Sequence, residues 1–183
     1  MLKRSLSILN LLVIAVSLSA CNQTKTDSAL NESSEKNMEI YEVHKDGRIH
    51  VFYDRALYTE FLSLGETPYR LTRIGEGPNG ETMVFGLTKK DKKKGENTKA
   101  VKLYNNKAAV EGGFYAETRR HGRIYVFSTF EDMKPVRMFG HPTFFYTEIG
   151  SGPKGETVVY VLNKANKKKK PVVLINDFKM RNS

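Results

Sequence analysis

The same pattern of residues occurs twice in this chain of 183 residues, at an offset of 75 positions. Residues 47–52 (GRIHVF) match residues 122–127 (GRIYVF), and residues 74–82 (IGEGPNGET) match residues 149–157 (IGSGPKGET). Without gaps, residues 42–94 and 117–169 share about 21 identities in 53 positions, far above chance. The pattern predicts an internally duplicated unit. Two copies favour a pseudo-twofold pair over a solenoid, which usually needs three or more repeats.

Turn residues divide each copy into short strands and one helix. Asp46-Gly47 predicts a two-residue hairpin turn between strands at 40–45 and 48–53, and His121-Gly122 occupies the same place in the second copy. That turn pairs His44 with Ile49 and His50 with Val43, so the two histidines point to opposite faces of the sheet.

Helical spacing follows the hairpin in the first copy. Leu57, Phe61 and Leu64 predict a helix between Asp54 and Gly65, with Gly65 as its C-cap. In the equivalent stretch, Thr129–Gly140, Pro135 predicts a short or kinked helix.

Strands are predicted on both sides of each glycine-rich turn. They span 69–74 and 82–87 in the first copy, and 144–149 and 157–162 in the second. A last strand is predicted at Ala100–Tyr104 or Val172–Ile175. The predicted fold class is α+β: a ββαβββ unit present twice, mainly antiparallel, as repeat unit 1 (39–107) and repeat unit 2 (113–183).

The amino terminus has the features of an export signal. Lys3 and Arg4 form a positive n-region, residues 8–16 (ILNLLVIAV) form an apolar stretch, and Leu18-Ser19-Ala20-Cys21 follows. The apolar stretch is shorter than the about 20 residues that span a bilayer. A plain secretory peptide and a short anchor helix are the alternative interpretations.

Leu18-Ser19-Ala20-Cys21 resembles the lipobox of bacterial lipoproteins, a resemblance limited to the first 21 residues. It implies a signal peptide over 1–20 and a mature chain that begins at lipid-modified, palmitate-bearing Cys21. Asn22 in place of Asp implies, in a diderm bacterium, transport to the outer membrane. Polar residues 21–38 are then the acylated Cys and a flexible tether, which leaves the folded part in the periplasm or at the cell surface.

Composition excludes several classes of protein. A single Cys excludes a disulfide framework, a Cys-based zinc site and a CxxC redox motif. A mean hydropathy of −0.47 excludes a polytopic membrane protein. The formal net charge of +10 falls to +8 when Lys3 and Arg4 leave with the signal peptide.

The GxGxxG pattern occurs at Gly75, Gly77 and Gly80 and again at Gly150, Gly152 and Gly155. A dinucleotide fingerprint needs its third glycine to open a helix, whereas strand-forming residues follow here. Pro78 and Pro153 also remove backbone donors where phosphate would bind. We therefore interpret both segments as hairpin turns.

No catalytic or metal constellation emerges from the remaining residues. His44, His50, His121 and His141 lack zincin spacing, and no Ser has a nucleophile-elbow context. No cofactor is predicted. Two alternatives stay open: a small-molecule or haem carrier that uses Tyr and His residues, such as His50 or His141, between the copies, and a hydrolase in which Glu81 and Glu156 approach across the pseudo-twofold axis.

Lysines are concentrated in two equivalent loops. The candidate anion-binding residues are Lys89, Lys90, Lys92, Lys93, Lys94, Lys167, Lys168, Lys169 and Lys170. Arg119, Arg120 and Arg123 are expected to extend this positive potential, and the two loops are expected to lie on one side of the molecule. Clustered like charges attract polyanions, although solvated connectors are the plainer interpretation of such runs.

These observations predict a membrane-anchored envelope lipoprotein that acts as a non-catalytic binding module. Its expected partners are the membrane, through the lipid, and either an envelope protein, through strand edges and aromatic residues, or an anionic glycan or lipid head group. Nucleic acid is not an expected partner in that compartment.

Replacing Cys21 tests the first of these predictions. Cys21→Ser should leave an uncut precursor that incorporates no labelled palmitate, because the thiol is the acceptor and the acylated chain is the substrate for cleavage. Metabolic labelling followed by gel electrophoresis measures both effects. Label retained in the variant would contradict the lipobox interpretation.

Overall fold

The computed structural model of this protein describes residues 38–106, 110 and 112–183. The predicted signal peptide, Cys21 and tether residues 22–37 lie outside these residues. The described part begins with a strand, β1, at Met38.

Eight strands and four α-helices follow one another in the described residues. They are β1 (Met38–Lys45), β2 (Arg48–Phe52), α1 (Arg55–Leu64), β3 (Arg70–Arg73), β4 (Thr82–Gly86), α2 (Lys99–Tyr104), β5 (Phe114–Arg120), β6 (Arg123–Phe127), α3 (Phe130–Phe139), β7 (Phe144–Glu148), β8 (Thr157–Leu162) and α4 (Val172–Asn182), with a 3-10 turn at Gly95–Asn97 before α2. The chain is thus a mixed α/β protein.

All eight strands form one sheet in the order β3-β4-β2-β1-β5-β6-β8-β7. The four hairpin pairs β1–β2, β3–β4, β5–β6 and β7–β8 are antiparallel. The pairs β2–β4, β1–β5 and β6–β8 are parallel. The expectation of a mostly antiparallel sheet is confirmed, and the three parallel pairings are an addition to it.

The two-residue turns have the geometry that their residues predict. Asp46 and Gly47 have φ values of 51° and 70°, and His121 and Gly122 have 50° and 70°. Positive φ at both central residues matches the right-handed twist of the flanking strands. The predicted register is also confirmed, because His44 lies opposite Ile49 and His50 opposite Val43.

The helices after these hairpins are bounded by caps. Asp54 accepts a hydrogen bond from the Leu57 N–H at 3.0 Å, and Gly65 ends α1 with a φ of 81°. Thr129 and Gly140 do the same for α3. Of the two alternatives predicted around Pro135, a short or a kinked helix, the short helix is wrong, since α3 and α1 both have 10 residues. Capping at both ends and the burial of Met133 and Val136 stabilise α3 despite the hydrogen bond that Pro135 removes.

The predicted last strand of each unit is wrong. Residues 99–104 and 172–182 are the helices α2 and α4, so each half is ββαββα. The β-branched Val172 and Val173 suggested a strand, but both are exposed in the first turn of α4, whereas Leu174, Ile175 and Phe178 are buried at helical spacing. A sheet that is apolar on both faces needs helices to cover both.

The helices divide between the two faces of the sheet. Ala100, Val101 and Leu103 of α2 and Met133 and Val136 of α3 pack in one core. The second core contains Leu57, Tyr58 and Phe61 of α1 and Leu174, Ile175 and Phe178 of α4. We call these the α2–α3 face and the α1–α4 face. Within the described residues, no helix has the length and apolar character needed to cross a membrane.

Removing the α1 cap should destabilise the protein measurably. Asp54→Ala leaves the Leu57 N–H without its acceptor, and the expected loss is about 1 kcal/mol of unfolding free energy. Asp54→Asn keeps an acceptor and should be nearly neutral. Urea denaturation measures both variants, and equal losses would contradict the capping role.

Candidate functional site

The directions of the strands define two ends of the sheet. We call the end at which β1 begins the entry end, and the end that holds the Asp46-Gly47 turn the turn end. The strands β1 and β5 are parallel and both run from the entry end to the turn end, so their antiparallel neighbours β2 and β6 run back to the entry end. Because β4 is parallel to β2 and β8 is parallel to β6, both β4 and β8 also run towards the entry end. Everything that follows β4 or β8 therefore leaves the sheet at the entry end.

Both lysine loops lie at the entry end. The first (residues 88–94) follows β4 and the second (residues 163–170) follows β8. The two strands are five positions apart in the sheet, which corresponds to about 24 Å at a strand spacing of about 4.8 Å. Since the Debye length is about 8 Å at physiological salt, the electrostatic fields of the two loops do not add in solution, and each loop attracts anions by itself. Anion binding by these loops stays a prediction.

Some of the lysines hold the loops against the edge strands. The Lys92 ammonium lies 4.9 Å from the centre of the Tyr69 ring, and at the equivalent position Lys167 lies 4.3 Å from that of Phe144. Lys170 lies 5.3 Å from the centre of the Tyr146 ring. Each contact is a cation–π interaction.

The first loop also contains an ion pair. Lys94 contacts Asp91 at 2.7 Å. Hydrogen bonds from Lys94 and Tyr53 lower the pKa of Asp91 to about 2, so this carboxylate is charged at neutral pH. The remaining candidate anion-binding lysines have no ion pair or ring contact with another described residue. They are Lys89, Lys90, Lys93, Lys168 and Lys169.

The expectation that arginines extend the lysine potential is wrong. Arg119 and Arg120 end β5, and Arg123 begins β6, all at the turn end of the sheet. Arg119 pairs with Glu156 and donates to the Tyr58 hydroxyl at 2.6 Å. Arg120 donates to the Val136 carbonyl at 3.0 Å. These two arginines bind within the protein, on the far side from the lysine loops.

Both glycine-rich segments are hairpin turns, as predicted, and neither opens a helix. Glu81 accepts the Asn79 N–H at 2.8 Å, and Glu156 accepts the Lys154 N–H at 2.8 Å. A Cβ at Gly77 would lie 2.8 Å from the backbone oxygen of Glu81, so only glycine fits at this position of the turn. Burial raises the pKa of Glu81, but the hydrogen bonds from Asn79 outweigh burial and lower it.

The structure does not bring Glu81 and Glu156 together. They precede β4 and β8, five positions apart in the sheet and therefore separated by about 24 Å. Pairs of glycosidase carboxylates are separated by about 5–10 Å. The expectation that these two carboxylates approach one another is wrong, because the parallel β1–β5 pairing places the two glycine-rich turns on opposite halves of the sheet.

The four histidines lie apart from one another. His44 lies on the α2–α3 face and His50 on the α1–α4 face, where its ring centre lies 4.5 Å from that of Phe61. His121 occupies a turn and His141 follows α3. No group of three His, Cys, Asp or Glu residues in the described part of the chain could hold a metal ion.

A cleft between the two halves has little in common with the predicted carrier site. It measures about 620 Å³ and is lined by Leu103, Val110, Phe114 and Phe130, with Ser128 and Thr129 among the polar residues. The described residues that line it include no tyrosine or histidine. None of these described lining residues has a side chain of the kind that ligates haem iron.

Sequence reasoning missed a fully buried carboxylate, Glu42 on the α2–α3 face. Its side chain is fully buried, contacts Arg137 at 3.1 Å, and accepts hydrogen bonds from Tyr104 and Thr118. Burial raises the pKa of Glu42, but Arg137, His44 and Tyr104 together lower it below the ordinary value. The pair is thus ionised, and it links β1 to α3 of the other half.

Glu117 occupies the equivalent position on the opposite face. It is 1% exposed. It accepts hydrogen bonds from Tyr115 at 2.7 Å, Tyr58 at 3.1 Å and Asn182 at 2.7 Å. No ion pair joins it to another described residue. Glu42 and Glu117 are one of the identities between the repeats. A carboxylate within an apolar strand, kept in both copies, was the signal that could have revealed these positions.

A polar groove lies on the α1–α4 face beside β3. It measures about 490 Å³, and its lining includes Arg48, His50, Arg70, Thr72 and Thr82. Phe61, Gly65 and Glu66 form the wall on the side of α1. Sequence reasoning treated His50 only as an isolated residue and did not include either arginine.

Exposed apolar side chains recur at equivalent positions near the turn end. Leu64 and Phe139, which end α1 and α3, are both 67% exposed. Ile74 and Ile149, which precede the glycine-rich turns, are 86% and 88% exposed. The same exposure in both halves indicates a property of the unit and not of a single loop.

Comparisons of this chain with protein families, with curated proteins and with solved structures find no match.

Replacing Glu42 should cost far more stability than replacing its counterpart. Glu42→Gln leaves Arg137 buried without a charge partner, and the expected loss is about 3–5 kcal/mol. Glu117→Gln removes no ion pair and should cost about 1 kcal/mol. Chemical denaturation at neutral pH measures both. Equal losses would contradict the ion-pair account.

The pH dependence provides a second readout of the same ion pair. Because the pKa of Glu42 is lowered by folding, its stabilisation is complete above the ordinary glutamate pKa and is lost as the pH falls through the lowered value. The unfolding free energies of the wild type and Glu42→Gln should therefore converge in acid.

Proposed function

We propose that the protein is a lipid-anchored envelope lipoprotein that acts as a non-catalytic binding module and contacts the anionic surface of its own membrane through the lysine loops. The observation that carries this proposal is the location of the entry end. Both lysine loops leave the sheet there, and β1, which follows the predicted anchor at Cys21, begins there. The first described residue of the chain and the lysines without a partner thus lie at the same end of the sheet.

The energetics favour a surface over a shaped anion site. Lysine ammonium groups are strongly hydrated point charges on flexible stems, and each one near an anionic lipid surface contributes about 1 kcal/mol. The two loops are too far apart to hold one small anion between them, whereas a flat anionic surface can contact both. This arrangement supplements the lipid anchor, since acyl chains combined with basic residues bind membranes more firmly than a single chain.

We also propose that the two halves arose by duplication and are related by a pseudo-twofold axis along the strands, between β1 and β5. The strand order supports this, because β3-β4-β2-β1 is followed by its counterpart β5-β6-β8-β7. A rotation of 180° about an axis that lies in the sheet and runs along the strands keeps the direction of each strand. It also turns one face of the sheet into the other. The packing of α1 with α4, and of α2 with α3, is consistent with that exchange.

A protein partner is the second candidate, and the turn end favours it. Leu64, Ile74, Phe139 and Ile149 are exposed there at two equivalent pairs of positions. The edge strands β3 and β7 also leave one side of their backbone unpaired within the sheet, as strand addition requires. The anchored end and the partner-binding end would then be opposite ends of one module.

The carrier and the hydrolase stay as less supported alternatives. The carrier has the apolar cleft of about 620 Å³ in its favour. The hydrolase would need to use Glu81 or Glu156 singly, because the two lie on opposite halves of the sheet. In a diderm bacterium, the proposed site of anchoring is the outer membrane.

Charge removal at one end of the sheet tests membrane contact. The variant that changes Lys89, Lys90, Lys168 and Lys169 to Gln should bind anionic vesicles at least about tenfold more weakly, given about 1 kcal/mol per lysine. The protein for this assay is the chain from residue 22, without leader or lipid. Co-sedimentation with phosphatidylglycerol-containing and pure phosphatidylcholine vesicles measures binding.

A matched variant with the same net charge is the control. It changes Lys45, Arg123, Lys134 and Lys154 to Gln, four exposed cations outside the lysine loops, three at the turn end and one on α3. This control should keep most of the binding, and the binding of the wild type should fall in high salt. Equal loss in both variants would mean that net charge alone attracts the protein, and the proposal would fail.

A further inference from the structure

The groove on the α1–α4 face has the features of a built anion site. Its floor is formed by β2, β4 and β3, where His50, Val84 and Thr72 share one level of the sheet. Arg48 lies towards the turn end of this floor and Arg70 towards the entry end. A volume of about 490 Å³ lies within the range of small-ligand pockets.

The two arginines of the groove have no partner in the described protein. Neither guanidinium forms a hydrogen bond or an ion pair with another described residue. Arg73 and Arg119 of the same sheet pair with Glu96 and Glu156. Arg123 of β6 has no such partner among the described residues. Arg48 and Arg70 thus share one concave surface without a protein partner, and guanidinium groups match carboxylate and phosphate oxygens in geometry.

The equivalent surface of the second half is closed by its own side chains. Tyr125 stands where the first half has His50, and its hydroxyl donates to the Gly140 carbonyl at 3.3 Å. Arg120 stands where the first half has Lys45, and it donates to the Val136 carbonyl at 3.0 Å. In the first half, Lys45 forms no such bond. The space beside Gly65 is also open, since a Cβ built there would have no atom within 4 Å, whereas one at Gly140 would lie 3.4 Å from the Arg120 guanidinium.

The chemistry of the lining also differs between the halves. Arg70 and Glu66 correspond to Phe145 and His141 in the second half. Arg48 corresponds to Arg123, so the second half keeps one of the two arginines. The polar groove is therefore a property of the first half. His50 and Lys45, in place of Tyr125 and Arg120, leave it open. Arg70, in place of Phe145, gives it a second cation.

We propose that this groove binds a small polar molecule through a carboxylate or phosphate group held between Arg48 and Arg70. The threonine hydroxyls of Thr72 and Thr82 and the ring N–H of His50 are the available donors for the rest of the ligand. Glu66 on the rim disfavours a second negative charge there and favours hydroxyl groups. A sugar acid or a sugar phosphate has this combination of groups.

His50 reports on occupancy of the groove. Burial, together with the charges of Arg48, Lys45 and Arg70, lowers its pKa to about 4, against a smaller opposing effect of Asp46. Glu66, which also lines the groove, is the other acidic group nearby. His50 is thus neutral at pH 7. An anion bound between the arginines would favour the protonated form and should raise the pKa of His50.

Titration of the full chain in neutral detergent tests the proposal. Glucose 6-phosphate, glucuronate and inorganic phosphate are the probes, and glucose is the uncharged control. Calorimetry measures affinity, and the imidazole C–H signals in NMR measure the pKa of His50. We expect binding of the anionic probes and not of glucose, with a rise in the pKa of His50 on binding.

Variants separate the groove from general charge attraction. Arg70→Gln and Arg48→Gln should each weaken binding about tenfold, the effect of losing one charge-assisted hydrogen bond. Arg123→Gln, at the equivalent position of the closed half, should change nothing. No binding at millimolar probe, an unchanged pKa of His50, or an equal loss in Arg123→Gln would overturn the proposal. The lysine-loop variant should bind these probes normally, so failure here is distinguishable from failure of membrane contact.

Discussion

The parallel pairing of β1 with β5 is the contact on which the arrangement of the molecule depends. It runs from Met38 opposite Phe114 to Val43 opposite Arg119 and makes one sheet of two four-stranded halves. This pairing also determines the direction of every other strand. Because β1 and β5 are parallel, both lysine loops lie at one end of the sheet and both glycine-rich turns lie at the other. An antiparallel seam would have placed one loop at each end.

The buried carboxylates strengthen this seam. Glu42 contacts Thr118 and Arg137, and Glu117 contacts Tyr58, so each carboxylate has at least one partner in the other half. A carboxylate buried without partners would cost several kcal/mol. Separating the halves would expose the partners of both carboxylates and apolar surface on both faces of the sheet. The two halves are therefore expected to fold as one body and not as two small independent units.

Local chemistry predicted the parts of this fold that depend on a few adjacent residues. Asp46-Gly47 indicated both the turn and its register, and Asp54 and Gly65 indicated the bounds of α1. The prediction failed where burial against a distant element decides the structure. Val172 and Val173 favour a strand locally, but the open face of the sheet stabilises a helix there. The groove was missed for the same reason, since Arg48 and His50 come close to Arg70 only when β4 pairs with both β2 and β3.

Equivalent positions with unlike residues carry the argument about function. Where both halves keep a residue, as at Glu42 and Glu117 or Lys92 and Lys167, the structure gives it a packing or loop-holding role in each. Where they differ, as at His50 and Tyr125 or Arg70 and Phe145, one half closes its surface and the other leaves a lined groove. A position whose side chain is not needed for packing can change to a ligand-binding residue without loss of the fold. A duplicated chain can therefore use one copy as scaffold and the other as site.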